Sequence, residues 1–175
     1  SYFIEDLRDK TVGIIGLGNI GKKVAFLSSC FGAKIIANDP YVTNKKYKLV
    51  SLNKLCALSD IISIHVPLNS ETLNLISETN FNKMKNGAYI INTSRGGVIN
   101  EEDLIKALKN KKIKFSATDV LVNENINGVK KNKLVSYAKK NKNVLITPHV
   151  GGSSYEYMES IFLHAAKEII KSLKK

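Results

Sequence analysis

An apolar run that passes straight into three glycines constrains this chain more than any other feature. Val12-Gly13-Ile14-Ile15 reads as a buried strand and Gly16-Leu17-Gly18-Asn19-Ile20-Gly21 as a G-x-G-x-x-G turn that opens a helix. Each glycine has its own task there: Gly16 allows the tight turn, Gly18 leaves space for a pyrophosphate, and Gly21 lets helix and strand pack closely. The first helical turn offers unbonded N–H groups and a positive dipole end to phosphate. Asp39, ending the next apolar run, is placed to accept from both hydroxyls of an adenosine ribose. Its charge would repel a 2′-phosphate, so the expected cofactor is NAD rather than NADP. The glycines by themselves also suit a flavin or S-adenosylmethionine site, or a turn that binds nothing.

The remaining chain alternates apolar runs with helical periods, the pattern of a parallel sheet covered on both faces. Strands are expected at 12–15, 34–37, 61–66, 88–92, 114–118 and 144–147. Ile20, Val24, Leu27 and Phe31 form one helical stripe, read as buried. A short helix over 51–59 would turn Leu52, Leu55 and Leu58 inward, and 72–84 would hold two short helical pieces. Asn100 is a good N-cap for a helix presenting Leu104, Ala107 and Leu108. A last helix from Ser153 or Ser154 would bury Met158, Ile161, Phe162, Ala165 and Ile169, with His164 packed among them and Lys167, Lys171 and Lys174 towards its negative end. The stretch 121–142 is long for a connection, with a short helix expected around Leu134, Val135 and Ala138. The fold class is therefore α/β: a doubly wound Rossmann fold with a mainly parallel sheet and helices on both faces, one domain over residues 1–175. The start at Ser1 rather than Met reads as a processed or excised piece.

The net charge of +12 suggests nucleic acid, but only Arg8 and Arg95 are arginines, and the lysines are dispersed without stacking aromatics. A solvated lysine surface that draws in anionic small molecules accounts for it better, so no nucleic-acid partner is expected. No run spans a membrane. Cys30 and Cys56 sit in apolar helical contexts without metal-ligand spacing, read as core thiols of a reduced, cytoplasmic protein with no metal.

In open α/β sheets, ligands bind beyond the carboxyl ends of the strands. Thr93-Ser94-Arg95-Gly96-Gly97, Asp119 through Glu124, and Pro148-His149-Val150-Gly151-Gly152 all follow predicted strands. An arginine, acids and a histidine thus reach the edge to which the glycine turn assigns a dinucleotide. Together with His65-Val66-Pro67-Leu68 and Asp119-Val120, these motifs resemble the D-isomer-specific 2-hydroxyacid dehydrogenases, nearest their phosphoglycerate dehydrogenase branch. The resemblance covers that family's NAD-binding domain; its substrate domain, built from segments on either side, is absent from this chain.

The resemblance implies hydride transfer between NAD and a D-2-hydroxy acid or 2-keto acid, with 3-phosphoglycerate among the candidates. It makes Arg95 the substrate-carboxylate clamp, His149 the general acid–base and Glu124 the acid that orients His149. It places Asn19 and Ile20 at the pyrophosphate, Val66 near the adenine or its ribose, and Thr93, Ser94, Asp119, His149 and Gly151 around the nicotinamide half. Asp119 either accepts from the carboxamide or caps its strand. Two departures fall beside Glu124: Asn125 replaces the family's proline, and Leu121 its common phenylalanine. His65 is read as a hydrogen-bonded structural imidazole. Relatives pair through this domain, which implies a homodimer. Corepressor relatives retain much of the site, so a nucleotide-sensing binding module is the rival reading; formate dehydrogenases carry glutamine at the position of Glu124.

Overall fold

The computed structural model describes residues 5–43 and 46–173. Ser1 and Lys174, both named above, lie outside them. Seven strands form one sheet: β1 (Thr11–Ile15), β2 (Lys34–Asn38), β3 (Lys48–Leu49), β4 (Ile61–Ile64), β5 (Ala88–Asn92), β6 (Ile113–Thr118) and β7 (Val144–Ile146). Their order is β3-β2-β1-β4-β5-β6-β7, and every pairing is parallel. The winding reverses direction between β1 and β4, which opens a crevice at the carboxyl edge beside the glycine turn.

Successive residues of β1 feed opposite faces, as strand geometry requires. Val12 and Ile14 join Leu17, Ala25, Ala33 and Ala37 under α1 (Asn19–Cys30), while Ile15 joins the larger core with Leu55, Ile62, Ile64, Phe81, Ile90, Leu104, Leu108 and Ile113. That larger core is closed by α2 (Leu52–Leu58), α3 (Glu78–Lys83), α4 (Glu101–Lys109) and α6 (Lys133–Ala138). Coverage of the two faces is unequal. Along β5, Ala88, Ile90 and Asn92 are buried, whereas Tyr89 and Ile91 between them are only half covered. The Asn100 cap forms as expected, its side chain accepting from Glu102 and Asp103 N–H.

Several expectations fail for identifiable reasons. Of the α1 stripe, Ile20, Leu27 and Phe31 are exposed and Val24 is half covered; the helix instead rests on the sheet through Gly21 and Ala25. Small residues bring its axis close to β1, so the large ones point away. Leu58 is exposed because α2 turns Leu55 and Cys56 inward. The last helix, α7 (Tyr155–Leu173), buries nothing: Met158, Ile161, Phe162, His164, Ala165 and Ile169 are all exposed. Its apolar period is real, but none of the described residues covers that face. Cys30 is exposed, so only Cys56 is a core thiol, its pKa pushed up to about 11 by burial. The fourth strand of the sheet ends at Ile64 rather than residue 66, and 72–84 holds one helix after a turn. The long connection carries α5 (Ile126–Lys131), which sequence reading missed, and the expected α6. No helix among the described residues is long and apolar enough to cross a membrane.

The glycine turn depends on one close approach. A Cβ on Gly21 would lie 2.0 Å from the Gly16 carbonyl oxygen, backbone that cannot yield, whereas one on Gly18 meets nothing within 4 Å. Gly21→Ala should therefore cost about 3 kcal/mol of stability, and Gly18→Ala less than about 1 kcal/mol. Urea denaturation of both variants checks the contrast.

Candidate active site

Gly16 bends β1 into α1 with φ +89°, and a side chain there would collide with the His65 carbonyl at 2.7 Å. Beyond it, the α1 N-terminus has no side-chain cap and no acidic residue in its first turn. The space around Gly18 is open, and an uncapped helix N-terminus beside it suits a phosphate anion. Asp39 is turned towards this end: one carboxylate oxygen accepts from Leu17 N–H at 2.8 Å and the other from Tyr41 N–H at 2.9 Å. Each oxygen keeps a further lone pair for a ribose hydroxyl. Val66 stands against Gly16 across the turn, half buried. Asn19 and Ile20 are exposed on the first helical turn. These residues fit a dinucleotide.

Asn92 shapes the loop after β5. Its side-chain oxygen accepts from the Ser94 N–H at 3.0 Å and hydroxyl at 2.8 Å, and its amide donates to the Arg95 carbonyl at 3.0 Å. Thr93 and Arg95 are left exposed at the carboxyl edge, with the guanidinium donating to the Ser94 carbonyl at 2.6 Å. Immediately after it, Gly96 packs so tightly that a Cβ would lie 2.0 Å from the Leu121 carbonyl carbon. The loops after β5 and β6 are thereby in backbone contact.

Glu124 and His149 meet despite the substituted neighbours of the acid. Glu124 Oε2 lies 2.5 Å from His149 Nδ1, and Glu124 Oε1 accepts from Leu121 N–H at 2.7 Å. A carboxylate only accepts, so Nδ1 carries a proton and Nε2 is the nitrogen left to exchange one with a ligand. Arg95 makes no direct bond to this pair; it approaches through the Gly96–Leu121 contact.

Asp119 holds the histidine loop. Its carboxylate accepts from the Thr147 hydroxyl at 2.5 Å, Val150 N–H at 3.0 Å and Gly151 N–H at 2.8 Å. His149 itself has φ 54°, a left-handed backbone uncommon outside glycine. The two N–H groups that follow this bend are the ones Asp119 binds. In place of a cap on its own strand, the Asp119 side chain binds the loop that follows β7. Burial works to raise the Asp119 pKa, but the bonds from Thr147, Gly151 and Val150 and the proximity of His149 outweigh it and hold the carboxyl below its usual value.

His65 is half buried, its Nε2 2.8 Å from the Ser63 hydroxyl, and burial lowers its pKa. Sequence reading missed three contributors. Asn92 was passed over, although an asparagine ending a strand is a recognisable turn-former. Glu101 accepts from Val122 N–H at 2.8 Å and from the Asn132 amide at 2.7 Å, which docks the long connection. Tyr41 donates to Glu71, a pairing that spacing does not reveal.

With this geometry established, comparison with known proteins is decisive. Residues 1–151 match the family "D-isomer specific 2-hydroxyacid dehydrogenase, NAD binding domain". The chain belongs to that family. A hydroxypyruvate reductase from Thermotoga maritima is 39% identical over 171 residues, covering 97% of this chain and 55% of the relative. A D-3-phosphoglycerate dehydrogenase from Archaeoglobus fulgidus is 36% identical, covering 97% and 32% respectively. Among solved structures, D-lactate dehydrogenase from Aquifex aeolicus, complexed with NAD and lactic acid, superposes with a TM-score of 0.89 at 31% identity, over 98% of this chain and 56% of that one. The chain thus spans about half, or less, of the length of these relatives.

The Asp119 contacts give a signed pH prediction. A depressed folded pKa contributes stability that is present above the ordinary value of 3.8 and lost as pH falls through the lowered folded value. Asp119→Asn should cost about 2 kcal/mol at neutral pH, and the gap to the wild type should shrink as the pH drops below 4. Denaturant midpoints across that range measure it.

Proposed function

We propose that this chain is the cofactor-binding part of an oxidoreductase that moves a hydride between NAD and a D-2-hydroxy acid or its 2-keto acid. The 2.5 Å contact between Glu124 and His149, on the same sheet edge as the glycine turn, is the observation that carries the reading. NAD, when bound, supplies the hydride acceptor for oxidation. Gly16, Gly18, Asn19, Ile20 and Gly21 hold its pyrophosphate, Asp39 and Val66 its adenosine half, and Thr93, Ser94, Asp119, His149 and Gly151 surround its nicotinamide half.

Arg95 grips the substrate carboxylate and steers the C2 oxygen towards His149, as a planar fork does better than an ammonium. His149 Nε2 takes the hydroxyl proton while hydride leaves C2, and returns it in the reverse direction. Glu124 steadies the resulting imidazolium through Nδ1. Substrate contacts beyond Arg95 come from a lobe outside these 175 residues, and 3-phosphoglycerate is one substrate to test among several. A cytoplasmic setting and a homodimer accompany this reading; the exposed apolar residues of α1 suit a subunit contact.

His149→Ala in a catalytically complete form of the protein should lower kcat about 10²- to 10⁴-fold. Unchanged turnover in that variant would remove the proton shuttle, whereas no turnover of any 2-keto acid by the unsubstituted protein would favour a nucleotide-sensing role. Titration of the chain itself should show NAD binding more tightly than NADP, with Asp39→Ala narrowing the difference; equal affinities would overturn the assignment of Asp39. The isolated chain should bind NAD yet turn over poorly, because no second lobe excludes water from the reacting atoms.

A further inference from the structure

The segments leaving β2 and β4 are joined by one side-chain bond. In the sheet, β1 lies between β2 and β4, so these two segments flank the carboxyl end of β1 where residues 16–21 begin. Tyr41 on the first donates its hydroxyl to Glu71 on the second. Both residues are fixed at their bases. Tyr41 N–H donates to Asp39, the carboxylate turned towards the turn, at 2.9 Å. Glu71 N–H donates to the Asn69 side chain at 2.9 Å, and the neighbouring Thr72 hydroxyl ties that loop to the Pro67 carbonyl at 2.6 Å.

Tyr41 is 78% exposed, so core packing does not place it there. Glu71, as an acceptor, raises the pKa of the phenol, which therefore stays protonated and able to donate near neutrality. A bond between exposed side chains on separate loops adds little to folding stability. Between two segments that flank the glycine turn it can have a different use, as a bar to a ligand held over the strand ends between them.

We propose that Tyr41 and Glu71 form a clasp over the adenosine half of the dinucleotide, and that this hydrogen bond slows cofactor release. The proposal rests on the cofactor reading above and adds two residues to it. The clasp positions and retains the ligand; it takes no part in the chemistry.

Stopped-flow release of NADH from the chain, followed by nicotinamide fluorescence, tests it. Tyr41→Phe and Glu71→Ala should each speed dissociation by about three- to tenfold. The double variant should exceed neither single by much, because both remove the same bond. Competition with AMP should weaken by a similar factor, while competition with nicotinamide mononucleotide should not change. Wild-type dissociation rates in both variants would overturn the clasp, as would faster association with unaltered release or multiplicative effects in the double variant. A chain that binds NADH with those results loses only the clasp. A wild-type chain that binds no NADH loses the cofactor reading as well, and the clasp with it.

Discussion

A parallel ladder forces the carboxyl ends of all its strands onto one edge, and everything functional in this molecule depends on that constraint. The glycine turn leaves β1, Asp39 follows β2, Arg95 follows β5, Glu124 follows β6 and His149 follows β7. Residues more than a hundred positions apart in sequence thus share one rim before any contact between their loops is counted. The reversal of winding between β1 and β4 separates the outgoing connections, so the rim has a crevice and not a closed surface.

Within that rim, order is imposed by a few acceptors that gather several donors each. Asn92 fixes the arginine loop, Glu101 the long connection, and Asp119 the histidine loop. Glu124 divides its two oxygens between its own loop and the imidazole, so the orientation of His149 is set by backbone on one side and by Asp119 on the other. The left-handed backbone at His149 is sustained by these contacts, not by the conformational freedom of a glycine.

The strands and the order of the site motifs were legible in the sequence because apolar runs bounded by turn residues leave little choice of period. The two-residue β3 was not, since its pairing to β2 is supported by Asn38, whose amide donates to the Val50 carbonyl. Burial was misread where helices were judged by their large residues. On α1 the contact is made by Gly21 and Ala25, four residues apart, and the pattern of big side chains marks the opposite surface. On α7 the periodicity was correct, but none of the described residues covers that face. The pairing of Glu124 with His149 was implied by the family resemblance; the backbone contact of Gly96 with Leu121, which relates Arg95 to that pair, requires three-dimensional information.

The margins of the sheet carry a consequence for assembly. Its outermost strands, β3 and β7, are two and three residues long, too short to template the addition of a foreign strand. The sheet therefore offers little edge on which another chain could extend the ladder. The large outward aliphatic and aromatic groups lie instead on α1 and α7, so α1 presents them on the same helix that the glycine turn opens.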